Sequence, residues 1–290
     1  DGVALVMLAL DEVGVVLDAV AQHEEGDALA HFQQIIEQHN FPDGTLLMKC
    51  NPNRYAVSTI TWQYESDAEL FALYSVKRHL DCVVPGWNSY LYIPYIPNAR
   101  QDRVKTNEDI FTLKYFAEII NSLNFKKVFV IDPHSSVSEA LINNIEVVSP
   151  KDFIGQTLNK INADDILMFY PDEGAMKRYS GLASKPYAFG IKKRNWETGK
   201  IEGLDVAGSV DQIVGKDILI VDDICSRGGT FYHSAKKLKE LGANKIYLYV
   251  THCENTILEG DLLTSGLIEK VYTTNSIFTK EHDMIEVFEL

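Results

Sequence analysis

One stretch limits the fold more than any other. From Ile218 the chain reads Ile-Leu-Ile-Val, then Asp222-Asp223-Ile224-Cys225, then Ser226-Arg227-Gly228-Gly229-Thr230, after which helical spacing begins. A short run of this apolar, β-branched kind suits a strand buried on both faces, as in a parallel sheet. The small residues after it leave backbone N–H groups unscreened at the start of a helix, a nest for phosphate oxygens. The two acids before the turn suit ribose hydroxyls or a divalent ion, and their charge disfavours a bare phosphate unless a cation stands near. The stretch reads as a site for a ribose that carries phosphate.

The rest of the chain alternates in the same manner. Helical patterns are expected at 28–38, 67–80, 107–123, 173–182, 230–241 and 257–264, and strands at 46–49, 90–93, 128–131, 166–169, 187–191, 218–221 and 246–250. Such alternation gives an α/β fold with mostly parallel sheets and right-handed crossovers. Thr106 and Asp109 resemble a capping box, with Phe111, Tyr115 and Ile119 as the apolar stripe behind it. Gly242 is expected to stop the helix that the phosphate loop begins. The least committed stretch is 143–152, so two domains are expected, 1–147 and 148–290.

Composition excludes several classes. The chain has 290 residues, 46% of them apolar, and a net charge of −14, which disfavours nonspecific nucleic-acid binding. No apolar run approaches the roughly 20 residues of a membrane span, and 3–10 is too short to serve as a signal sequence. Cys50, Cys82, Cys225 and Cys253 lack zinc or disulfide-framework spacing, so reduced thiols and a cytoplasmic location are expected.

Four further clusters fall at strand ends, where open α/β sheets collect ligands. Arg100-Gln101-Asp102-Arg103 can hold a nucleotide's phosphates and base edge, or can be a solvated charged loop. His134, after Asp132-Pro133, can satisfy a carbonyl or contact a phosphate. Asp172 and Glu173 open a helix, where the macrodipole alone explains acids. Lys192-Lys193-Arg194 begins a polar stretch to Lys200 that reads as a mobile, cationic loop able to close on phosphates, or as a solvated one.

Taken together and in order, these segments resemble the ribose-phosphate diphosphokinases, also called phosphoribosyl diphosphate (PRPP) synthetases. Phe41-Pro42-Asp43-Gly44 looks like the family's early loop that reaches the ATP of a neighbouring subunit. Pro94-Tyr95 through Arg103 is similar to its ATP-binding segment, and His134 falls on its active-site histidine. Asp172 falls on the Pro-Asp turn, Lys192 and Arg194 on the cationic catalytic loop, and 222–230 on the ribose 5-phosphate loop.

The resemblance implies two tandem phosphoribosyltransferase-like domains, each with a mostly parallel sheet flanked by helices. It implies transfer of the β,γ-diphosphoryl group of MgATP to the anomeric hydroxyl of a ribose 5-phosphate moiety, with release of AMP. Lys192, Arg194 and His134 would be catalytic. Phe41, Asp43, Arg100, Gln101, Asp102 and Arg103 would bind ATP. Asp172, Asp222, Asp223, Ser226, Arg227, Gly228, Gly229 and Thr230 would bind the ribose phosphate. Mg²⁺ would ride with ATP near His134 and Asp172, and at least a homodimer is implied.

Three positions depart from the family. Ser226-Arg227-Gly228-Gly229-Thr230 stands where Asp-Thr-Ala-Gly-Thr is usual, Thr45 where Glu is, and Ile191 where Asp is common. An inward Arg227 would make the loop more cationic and suit an acceptor with a second phosphate, such as ADP-ribose. A type I phosphoribosyltransferase and a catalytically silent regulatory homologue are the other readings.

Overall fold

The computed structural model describes residues 15–21, 30–35, 37–50, 57–84, 86, 88–162, 165–194 and 201–290. They divide into two compact units, one running up to Val148 and one from Ser149 onward.

The first unit contains β1 (Val15–Ala21), β2 (Ala30–Ile35), β3 (Glu37–Asn40), β4 (Leu46–Lys49), β5 (Val57–Trp62), α1 (Glu69–Val83) and β6 (Asn88–Tyr92). It continues with α2 (Thr112–Ser122), β7 (Lys127–Ile131), α3 (Val137–Leu141) and β8 (Ile145–Val148). Its main sheet has the order β2-β1-β5-β6-β7-β8, and β3 and β4 form a separate hairpin. Pairing is parallel from β5 to β8, while β1 runs antiparallel to both β2 and β5. Leu73, Val76 and Leu80 of α1 and Leu113, Phe116 and Ile120 of α2 pack in one core with Ile60, Leu91, Val128 and Val130.

The second unit contains α4 (Lys151–Ile161), β9 (Ile166–Tyr170), α5 (Glu173–Tyr179), β10 (Tyr187–Arg194) and β11 (Ile201–Gly208). After them come β12 (Asp217–Cys225), α6 (Gly229–Glu240), β13 (Ile246–Cys253), β14 (Lys270–Thr274) and β15 (Ile285–Phe288). Its sheet has the order β11-β10-β9-β12-β13-β14-β15, parallel except for the β10–β11 pair.

Both faces of this sheet are covered, which explains its apolar strands. Ile218 and Ile220 join Phe231, Ala235 and Leu238 of α6 in one core. Leu219 and Val221 join Ile154 of α4 and Tyr179 of α5 in the other. The α/β fold with mostly parallel sheets flanked by helices is therefore the fold of this chain.

Several local expectations are corrected. The segment 28–38 is strand, not helix, in β2 and β3, with 28, 29 and 36 outside the described residues. The β1–β2 ladder, Val16↔Ile35 to Ala21↔Ala30, outweighs a weak helical periodicity. The stretch 143–152, where the domain boundary is expected, holds β8, paired in parallel with β7, and the start of α4.

Thr106 and Asp109 do bond, since the backbone N–H groups of Lys105 and Thr106 donate to Asp109 Oδ2 at 2.8 and 2.7 Å. They close a turn, however, and α2 begins only at Thr112. Tyr115 and Ile119 are exposed; the buried stripe is Leu113, Phe116, Ala117 and Ile120. The segment 257–264 is a 3₁₀ turn, Asn255–Glu259, followed by irregular chain, and a Cβ on Gly260 would lie 1.9 Å from Arg227 O. Gly242, at φ +88°, does terminate α6. The four cysteines are unbridged, and among the described residues no helix is long and apolar enough to cross a membrane. The segment 3–10 lies outside the described residues.

Candidate functional site

In the second unit the site begins where β12 outruns its neighbour. Pairing with β9 ends at Ile220↔Phe169, whereas pairing with β13 continues through Asp222↔Val250 to Cys225↔Cys253. The strand thus runs four residues beyond the expected end at Val221, and both acids stand on it. Strand alternation turns Asp223 toward α5, where it is 4% exposed and Arg178 Nη1 lies 3.2 Å from its Oδ2. Asp222 accepts the backbone N–H of Asp223 at 3.0 Å. Burial first, then the neighbouring Asp223 carboxylate, with a smaller push from Asp172, hold the Asp222 carboxyl well above the usual carboxylate range. Asp222 therefore holds its proton more tightly than an ordinary carboxyl, while the Asp223 carboxylate faces Arg178.

The turn that follows is built for close approach. Gly228 has φ +79°, and a Cβ there would lie 2.9 Å from Leu262. Its left-handed backbone opens α6, whose first turn carries no side-chain cap. Gly229 and Thr230 are exposed, and a Cβ on Gly229 would meet nothing within 4 Å. An uncapped N-terminus leaves its first N–H groups and the positive end of the macrodipole for an anion.

Arg227 is 71% exposed, and its Nη2 pairs with Glu259 Oε2 at 2.8 Å. Its charge is matched by that carboxylate, so the loop does not gain the unmatched cation that an inward Arg227 would give it. Ser226 donates its hydroxyl to Glu254. Asp172 caps α5 by accepting the Ala175 N–H at 3.1 Å, and Glu173 pairs with Lys177 at 2.9 Å. The capping role anticipated for acids at this helix start is thus occupied.

In the first unit, two strand ends meet. Pro94 O accepts the Ile131 N–H at 3.1 Å, placing the loop after β6 beside the loop after β7. Ser135 Oγ donates to Asp102 Oδ2 at 2.8 Å, and Arg103 Nε donates to Asp102 Oδ1 at 2.8 Å. Burial raises the Asp102 carboxyl, but the bonds from Arg103 and Ser135 and the nearby His134 outweigh it and leave the group below its ordinary value. Gln101 Oε1 accepts the Thr112 hydroxyl at 2.7 Å.

Arg100 is exposed and His134 half-buried beside this network. Asn98, at φ +62°, and Asp132, at φ +40°, hold the strand ends in left-handed backbone, strain that clusters at functional loops. The structure thus brings Arg100, Gln101, Asp102, Arg103 and His134 together.

Phe41 and Asp43 sit on the exposed tip of the β3–β4 hairpin. The Thr45 N–H and hydroxyl donate to Asp43 Oδ1 at 3.0 and 2.7 Å and hold its carboxyl below the ordinary value. Thr45 therefore shapes the loop in which Glu is usual. Lys192 and Arg194 lie on β10, opposite Leu204 and Ile201, with a register shift between Lys193 and Arg194. The cationic loop is consequently strand up to Arg194, and its remainder, 195–200, lies outside the described residues.

Sequence reasoning gave no role to Arg178, Glu254, Thr256 or Glu259. Each reaches the site through tertiary pairing, and only Arg178, six residues after Asp172 on a short helix, left a local signal. Among the described residues no group of three or more His, Cys, Asp or Glu side chains is arranged to hold a metal ion.

The family model described as phosphoribosyl synthetase-associated domain matches residues 200–287. The ribose-phosphate pyrophosphokinase of Thermococcus kodakarensis is 29% identical over 253 residues, 84% of this chain and 86% of that protein. The enzyme of the same name from Bacillus subtilis is 29% identical over 205 residues, 68% of this chain but 62% of the relative's length. Among solved structures, phosphoribosylpyrophosphate synthetase from Mycobacterium smegmatis shares the fold, with a TM-score of 0.73 and 18% identity over 88% of this chain and 86% of that one.

Proposed function

We propose that the chain is a member of the ribose-phosphate pyrophosphokinase family and transfers the β,γ-diphosphoryl group of ATP to ribose 5-phosphate. The oxygen of the C1 hydroxyl bonds to the β-phosphorus, the bond from the β-phosphorus to the α,β-bridging oxygen breaks, AMP leaves with that oxygen, and the hydroxyl proton passes to solvent. Catalysis of this type is positioning plus neutralisation of phosphate charge.

The observation that carries the reading is the Asp222–Asp223 pair running directly into the uncapped start of α6. Acids there accept ribose hydroxyls, and N–H groups of 228–230 take the 5′-phosphate. Arg100, Gln101, Asp102, Arg103 and His134 orient ATP in the first unit. Lys192 and Arg194 neutralise the transferring group. Phe41 and Asp43, on a protruding tip, serve the ATP of a second copy, which makes the working enzyme at least a dimer.

Mg²⁺ supplies charge neutralisation on the phosphates of ATP. The donor set fits an ion carried mainly by those phosphates, since Asp102 and Asp223 already face Arg103 and Arg178. His134 and Asp172 would be its protein contacts only by the family resemblance, and Asp172 already accepts the Ala175 N–H.

The Arg227–Glu259 pair favours ribose 5-phosphate over ADP-ribose, because the added cation already has a carboxylate partner. Mass spectrometry of products from MgATP with each acceptor tests this: AMP and PRPP are expected with ribose 5-phosphate. Faster turnover of ADP-ribose would reverse the choice of acceptor, and transfer without AMP would reject the reaction. Lys192→Ala should lower kcat on the order of 10²- to 10³-fold with a much smaller rise in the KM for ATP. Near-normal turnover of that variant would remove Lys192 from the catalytic set.

A further inference from the structure

We propose that Glu254 is a positioning residue for the acceptor phosphate, acting through Ser226; this rests on the reading that 226–230 bind the phosphate of ribose 5-phosphate. Ser226 Oγ donates to Glu254 Oε2 at 2.7 Å and lies 3.2 Å from Thr256 Oγ1, which itself donates to the same Oε2 at 3.1 Å. Two hydroxyls thus converge on one carboxylate oxygen, and all three residues are half-buried.

The anchor is stiff because the sheet makes it so. Ser226 and Glu254 directly follow the paired residues Cys225 and Cys253, and the Glu254 N–H donates to Cys225 O at 2.8 Å. The same segment grips the next loop residues as well. Glu259 pairs with Arg227 at 2.8 Å, and a Cβ on Gly260 would lie 1.9 Å from Arg227 O.

Two chemical consequences follow. The single Ser226 hydroxyl proton is committed to Glu254, so the phosphate is met by loop N–H groups and not by that hydroxyl. A carboxylate beside a phosphate site opposes anion binding by its charge, so Glu254 contributes by fixing the loop before the ligand arrives. The carboxylate missing from the loop sequence is thereby replaced by one from the end of β13.

Calorimetric titration of the full chain with ribose 5-phosphate, without ATP, separates these effects. Glu254→Ala should raise Kd about tenfold, as loss of a charged hydrogen bond does, while Glu254→Gln, which keeps an acceptor oxygen, should stay within about threefold of the parent. Ser226→Ala should weaken binding comparably, and the double variant should be no more than about twofold worse than either single one. The KM for ATP should not move.

Unchanged binding by Glu254→Ala, tighter binding by both Glu254 variants, or fully additive losses would each overturn the proposal. If Glu254→Ala unfolds, Thr256→Val, which removes one hydroxyl of the triangle, carries the test: weaker binding supports the proposal and parental binding overturns it. A parent that binds ribose 5-phosphate but releases no AMP defeats the diphosphokinase reading alone. Binding insensitive to Glu254 with normal AMP release defeats this proposal alone, and a parent that binds no ribose 5-phosphate defeats both.

Discussion

At Asp222, burial and the adjoining Asp223 carboxylate push in the same direction, and both favour the protonated form. An acid whose proton is held more tightly in the folded state contributes stability below its unfolded value. That contribution is lost as pH rises through the folded value, because the native state then gives up a proton at a cost the unfolded chain does not bear. Asp222→Asn removes the titration and keeps the shape. Its stability relative to the parent should therefore grow from about pH 5 to about pH 8, while its affinity for the acceptor falls. Urea unfolding at the two pH values checks this; a constant difference would mean that Asp222 titrates normally. The adjacency of two acids was legible in the chain. The upward shift at Asp222 was not, because it comes from burial and from the charges that the fold places around it.

The strand–turn–helix element at 217–240 was the most legible part of the fold, since apolar run, acids and glycines are contiguous. Its supports were not, because Glu254 and Glu259 lie 28 and 32 residues from their partners and arrive through the β12–β13 register. The α2 stripe was misread for a simpler reason: 111, 115 and 119 step by four, which drifts around a 3.6-residue helix, whereas 113, 116, 117 and 120 hold one face. Glycine substitutions separate the turn's requirements. Gly228→Ala must keep a left-handed backbone against Leu262 and should cost about 1–3 kcal/mol. Gly260→Ala forces the backbone away from Arg227 O and should cost about 3 kcal/mol or more while weakening acceptor binding. Gly229→Ala meets open space and should stay within about 0.5 kcal/mol. Equal losses at 228 and 229 in urea titrations would contradict the described turn.

On the scale of the whole molecule, the proposed reading sets two polyanionic substrates against a net charge of −14, so attraction has to come from local groups and not from the average field. The proposed reading assigns those groups to different units: the Arg100–Arg103 segment and His134 to ATP in the first, residues 222–230 to ribose 5-phosphate in the second. Substrate-specific kinetics are the consequence. An interaction made equally in ground and transition states appears in one KM with little change in kcat. Arg100→Ala should raise the KM for ATP about tenfold and that for ribose 5-phosphate by less than about twofold. Asp223→Asn, which keeps the side-chain volume but removes the charge facing Arg178, should do the reverse. Initial rates with the other substrate saturating measure both, and thermal melting shows whether either variant has lost its fold. If Asp223→Asn raised the KM for ATP as much as that for the acceptor, the division of substrates between the units would be wrong, even with the family and the reaction unchanged.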